Sequence, residues 1–166
     1  MAGSMLTKKF DRKSRIAVVE INDTTSGANV LNETFFKELN SLLDLAEKDT
    51  ALNGIVFTTG KKNIYLAGAD LVTLHKNLDN EEELCKLINT GQETFTRLKN
   101  LKVPTVAAIH GVCVGGGLEF ALACDVRVAS NDKSTKIGLP EVMLGILPAW
   151  GGCTRLPRLI GLVNAL

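Results

Sequence analysis

Two glutamates stand where carboxylates are costly. Glu119 follows Gly115-Gly116-Gly117-Leu118 and precedes Phe120-Ala-Leu122, while Glu141 lies within Leu139-Pro-Glu-Val-Met-Leu144. A buried, unpaired carboxylate is expensive, so two of them in apolar stretches point to general acid and base work, where burial moves pKa values upward and apart. The alternative is that both reach solvent from exposed faces. Glycines at a strand-to-helix junction let backbone approach a ligand, and the free N–H groups opening a helix can hold negative charge. Leu66-Ala-Gly-Ala-Asp70 reads as a second tight turn of this kind. Two amides converging on one oxygen make an oxyanion hole, which suits a reaction passing through an enolate. Close strand–helix packing is the other account of the glycines.

Other chemistry is weaker or excluded. A G-x-G-x-x-G fingerprint from Gly115 would need glycine where Phe120 stands, no Gly-Lys-Ser/Thr completes a P-loop, and no G-x-S-x-G elbow exists. His75 and His110 are isolated and read as structural, and Cys113 as a small buried thiol. Arg155 and Arg158 either meet phosphate or cover a helix face.

The elements that must position these residues alternate. Strands are expected at Ile16–Ile21, 54–58, 105–109 and 125–129. Helices are expected after Asn32, after Asp70, over 81–100 and from the glycines through Leu122. Gly60 to Gly68 reads as loop, and the basic residues Lys8 to Arg15 as a solvated lead-in. Alternating strands and helices predict an α/β fold with largely parallel pairing. No internal repeat is visible in the sequence.

With 166 residues the chain suits one domain, and 45% hydrophobic with 22% charged residues excludes a disordered class. A net charge of +1 gives no whole-chain attraction to nucleic acid or anionic membrane. Four cysteines without a C-x-x-C pair, and two histidines, argue against structural zinc or a disulfide framework and for a reducing compartment. No apolar run approaches the roughly 20 residues of a membrane helix. Residues 1–5 read as a cloning remnant, with 6–166 as the domain. Leu162 to Leu166 read as a helix without a stop signal, so the chain is expected to be cut within a longer one.

Taken together, Ala67-Gly-Ala-Asp70, Ala107 to Glu119, Gly138 to Pro148, Gly151-Gly152 and Arg155 to Gly161 resemble the enoyl-CoA hydratase/isomerase (crotonase) superfamily. Within it they are most similar to the hydratase part of multifunctional fatty-acid oxidation α-subunits. The resemblance runs from Ile16 to the end. It implies a crotonase-like spiral of ββα units, with a C-terminal helical region that this chain lacks. It implies an acyl-CoA thioester substrate, the amides of Ala69 and Gly116 as the oxyanion hole, and Glu119 and Glu141 as the catalytic pair. The implied reaction is hydration of a trans-2-enoyl-CoA, with double-bond isomerisation or a non-enzymatic crotonase-fold binding role as alternatives. No metal and no cofactor is implied for hydration, NAD entering only with a downstream dehydrogenase region. The implied partners are further copies of the chain or a thiolase subunit, and the implied location is the cytoplasm in bacteria or the mitochondrial matrix in eukaryotes. Ala149 and Trp150 depart from the small residues usual before the glycine pair, and Cys153 from a usual threonine, which bears on acyl length rather than on the chemistry.

Overall fold

The computed structural model describes residues 4–166; Met1 to Gly3, most of the segment set aside as a cloning remnant, lie outside the described residues. Met5 takes part in the fold: it is buried, and its carbonyl accepts from the Asn22 N–H at 2.8 Å.

Five strands form one sheet in the order β1 (Leu6–Asp11), β2 (Ile16–Ile21), β3 (Gly54–Thr59), β5 (Thr105–Ile109), β7 (Val126–Ala129). All of its pairs are parallel except β1 with β2. Three shorter strands, β4 (Ile64–Leu66), β6 (Val112–Val114) and β8 (Lys136–Gly138), form a second parallel sheet with β6 in the middle. The chain therefore repeats one move three times. A strand joins the large sheet, the next joins the small sheet, and a helix or helical turn follows. These are α2 (Leu71–Lys76) after β4, α4 (Gly116–Ala123) after β6 and a 3₁₀ turn (Glu141–Leu144) after β8.

Local chemistry accounts for the helices. Asn32 caps α1 (Glu33–Lys48), its Oδ1 accepting from the Phe35 N–H at 2.9 Å, and Phe35, Phe36, Leu39, Leu43 and Ala46 face inward. In α3 (Glu81–Lys99), three glutamates occupy the first turn, and Arg97 and Lys99 the last, matching the helix dipole. Every residue of α4 is buried. Phe120 of α4 meets Phe57 (ring centroids 5.1 Å), Phe35 and Phe95 edge-to-face, so one aromatic cluster joins α1, α3, α4 and the large sheet. The chain closes with α5 (Gly152–Ile160) and α6 (Leu162–Ala165).

Three expectations are corrected. The basic lead-in is an edge strand, β1, whose exposed lysines and arginine-rich turn deter further pairing while its backbone joins β2. The loop from Gly60 to Gly68 contains β4, and the stretch before the glycines contains β6. Each is three residues long, too short to show a period in the sequence. The absence of a sequence repeat does not carry over to the structure, which repeats its strand–strand–helix unit without repeating residues.

Candidate active site

The three turns that leave the small sheet lie at the carboxyl ends of β4, β6 and β8, the edge where parallel sheets place ligands. They hold Ala69, Gly116 and Glu141, and Glu119 follows in the first turn of α4.

The turn after β4 is anchored by Asn29. This fully buried side chain donates from Nδ2 to the carbonyls of Ile21 (2.9 Å) and Tyr65 (3.1 Å), and its backbone carbonyl accepts from Ala67. Gly68 then adopts φ +95. Leu31 donates to the Gly68 carbonyl (2.8 Å) and accepts from the Asp70 N–H (3.2 Å). This bridge uses the groups flanking Ala69 and leaves the Ala69 N–H without an acceptor among the described residues. Asp70 caps α2, accepting from Val72 N–H and the Thr73 hydroxyl.

After β6, Gly115 at φ +57 donates to the Gly138 carbonyl at 3.0 Å, and Gly116 opens α4 with an N–H that no helical carbonyl can reach. The two turns abut: a Cβ on Gly68 would stand 3.5 Å from the Gly116 nitrogen. Close packing is also real, since a Cβ on Gly117 would overlap the Leu66 carbonyl. The triplet thus packs tightly against β4 and, among the described residues, leaves the Gly116 N–H without an acceptor.

Both glutamates are buried, which removes the exposed-face alternative. Glu119 retains 2% of its surface and Glu141 7%. Glu119 Oε1 accepts from the N–H groups of Trp150 (2.8 Å) and Gly152 (2.7 Å). Burial pushes its pKa up to about 7, Glu141 adds to the rise, and the two amides and Arg155 oppose it. Glu141 opens the 3₁₀ turn with Oε2 buried and without a partner among the described residues, and burial raises its pKa as well. A Cβ on Gly115 would stand 3.2 Å from Glu141 Oε1, so this carboxyl faces the glycine turn that opens α4. Two proton-hungry carboxyls beside two free amides can move a proton to and from a carbonyl compound whose oxygen the amides hold.

Two features escaped the sequence reading. One is the Trp150–Gly152 turn that grips Glu119; the signal was the Gly151-Gly152 pair, because a buried carboxylate must find donors. The other is the bond that Arg155 makes, its Nη1 donating to the Trp150 carbonyl at 2.8 Å; Arg158 is exposed. The remaining candidates play supporting parts. His110 Nδ1 lies 3.1 Å from Ser130 Oγ, and the Cys113 thiol is buried with its pKa pushed up to about 12. A cleft of about 490 Å³ between α1, α2 and α3 adjoins the Ala69 turn through Leu31 and Asp70.

Residues 11–166 match the family model described as enoyl-CoA hydratase/isomerase. The fatty acid oxidation complex subunit alpha of Shewanella frigidimarina is 43% identical over 93% of this chain, and that of Aliivibrio fischeri 46% identical over 92%. The chain spans 22% of the length of each. Among solved structures, enoyl-CoA hydratase from Geobacillus kaustophilus superposes with a TM-score of 0.90 at 32% identity, covering 99% of this chain and 60% of that one. The Bacillus anthracis enoyl-CoA hydratase gives 0.86 at 31%, covering 97% and 60%. The ββα repeat, the paired turns and these matches agree: the chain has the crotonase fold and belongs to the enoyl-CoA hydratase/isomerase family.

Proposed function

We propose that these residues carry out reversible hydration of a trans-2-enoyl-CoA to a 3-hydroxyacyl-CoA in fatty-acid β-oxidation. The observation that supports this most is the pairing of two buried carboxyls, Glu119 held by two amides and Glu141 with a free oxygen, beside the unsatisfied N–H groups of Ala69 and Gly116. The thioester oxygen would lie on those two amides and gain negative charge as water attacks C3. Each donor is worth roughly 3–4 kcal/mol to such a transition state. Glu119, ionised, takes the proton of the attacking water; Glu141, protonated, delivers a proton to C2. The working state is the pair carrying one proton, favoured because two neighbouring buried charges repel. Hydration consumes only water. Membership of a fatty acid oxidation complex is supported by the named α-subunit relatives; a downstream NAD-dependent dehydrogenase region, a thiolase partner and a bacterial cytoplasmic setting are further parts of the proposal.

The test is hydration of 2-enoyl-CoA by full-length protein carrying Glu119→Gln or Glu141→Gln. Each substitution should lower kcat by roughly 10²–10⁴-fold. Near-wild-type turnover in both variants sinks the assignment. Parallel assays with 3-enoyl-CoA separate hydration from isomerisation, which needs only one well-placed carboxylate.

A further inference from the structure

Arg155 lies in the first turn of α5 and folds back over the residue that starts the helix. Its backbone N–H donates to the Gly151 carbonyl and its Nη1 to the Trp150 carbonyl, both at 2.8 Å. Gly151 is at φ +109, and a Cβ there would fall on Nη1, so the clamp requires glycine twice over. The preceding carbonyl, that of Ala149, is held by Gln92 Nε2 from α3 at 2.8 Å. The turn gripped in this way is the one whose Trp150 and Gly152 amides both reach Glu119 Oε1.

We propose that Arg155 is a positioning residue for Glu119, fixing the Trp150–Gly152 turn around its Oε1 and turning a cation toward it. This rests on the hydratase reading above. The charged groups acting on Glu119 among the described residues are Glu141, from the 3₁₀ turn, and Arg155, from α5. The elements α3, β4 and β6, also packed on α4, present none to it. An ionised Glu141 would drive Glu119 toward the protonated form, whereas Arg155 favours the ionised one, the state in which Glu141 carries the proton of the pair. A buried base that must be ionised to accept a proton from water is therefore kept ready first by the Gly152 and Trp150 amides of the clamped turn, and then by the guanidinium itself.

The experiment is the pH profile of kcat/KM for 2-enoyl-CoA hydration by full-length protein, comparing wild type with Arg155→Gln, Arg155→Met, Arg155→Lys and the exposed control Arg158→Met. Glutamine keeps an N–H donor near the Trp150 carbonyl but removes the charge; methionine removes both. In Arg155→Gln and Arg155→Met the acid limb should move up by about half a unit to one unit, with about a three- to tenfold loss at pH 6 and KM changed less than about twofold. Arg155→Lys should restore the limb toward wild type, and Arg158→Met should leave it in place. An acid limb that superposes on wild type in any active Arg155→Gln or Arg155→Met protein overturns the proposal. So does activity that merely follows lost thermal stability with the limb unmoved. If Arg155→Met does not fold, Arg155→Gln alone decides. Wild type that fails to hydrate 2-enoyl-CoA, or a fully active Glu119→Gln variant, strikes the hydratase reading instead.

Discussion

Gly91 on α3 makes the seat for the Trp150 indole: a Cβ at Gly91 would lie within the ring, overlapping Nε1 and standing 2.5 Å from Cε2. On its other side the ring backs Gly116, where a Cβ would stand 2.6 Å from Trp150 Cζ3. Phe36 and Phe95 close the remaining edges, and Nε1 is buried without a partner among the described residues. The Trp150 side chain is thus turned into the core behind the turn that holds Gly116.

Gly91→Ala should therefore destabilise the protein despite alanine's better helix propensity. The expected cost is about 1–3 kcal/mol, the usual scale of overpacking a filled core, read from urea unfolding. In the double variant Gly91→Ala/Trp150→Phe the penalty should fall well below the sum of the singles, because the smaller ring vacates the space the methyl enters. Additive losses would show that the two residues do not compete for one volume.

Stability should respond to pH through Glu119 with a sign opposite to that of an ordinary surface carboxylate. Its folded-state pKa, about 7, exceeds the ordinary 4.5, so the folded state binds the proton more tightly. The contribution is fully present below about 4.5 and lost as pH rises through about 7. Glu119→Gln keeps an oxygen for the Trp150 and Gly152 amides but has no proton to lose. It should become more stable than wild type as pH rises, by up to an amount on the order of 3 kcal/mol at pH 8. Denaturant titrations at pH 5 and pH 8 check this, and an unchanged difference between the two pH values contradicts it.

Gly68→Ala probes the oxyanion turn without touching a carboxyl. The new methyl would stand 3.2 Å from the Val114 carbonyl and 3.5 Å from the Gly116 nitrogen, in a backbone conformation alanine resists. Hydration kcat should fall roughly 10²–10³-fold, as when one oxyanion donor is lost, with the pH profile unmoved. A profile shifted along the pH axis would instead implicate the carboxyl pair.

Ile137 of β8 and Leu159, Ile160 and Leu166 near the end line one groove, each at least two-fifths exposed, and Leu162 and Val163 of α6 are exposed as well. Patches of this kind drive association in water. The 166-residue chain on its own should form oligomers by light scattering and show little hydration. Leu162→Glu/Val163→Glu should shift it toward monomer. A monodisperse monomer without those changes contradicts the expectation.

Much of this architecture could be read from residues alone, for identifiable reasons. Helices α1 and α3 are long enough to show a 3.6-residue period and begin at asparagine caps. The strands β2, β3, β5 and β7 are β-branched runs bounded by polar residues. The turn glycines and both glutamates announced themselves by type, since carboxylates among leucines need a reason. What stayed hidden depends on contacts far apart in sequence. Strands of three residues have no period of their own, and β4, β6 and β8 exist because they pair with one another. Glu119 receives its amides from residues 31 and 33 positions later, a distance no local pattern encodes.

That separation also orders events in time. Glu119 can be gripped only after β6, α4, β8 and the 3₁₀ turn have been laid down and the chain has returned at Trp150. Parallel pairing adds its own delay, because each crossover must close before its contacts form. The grip on Glu119 is therefore a tertiary contact, closed after local helix has formed. A probe on Trp150 should reach its native signal after the helical signal of α1 and α3 has recovered.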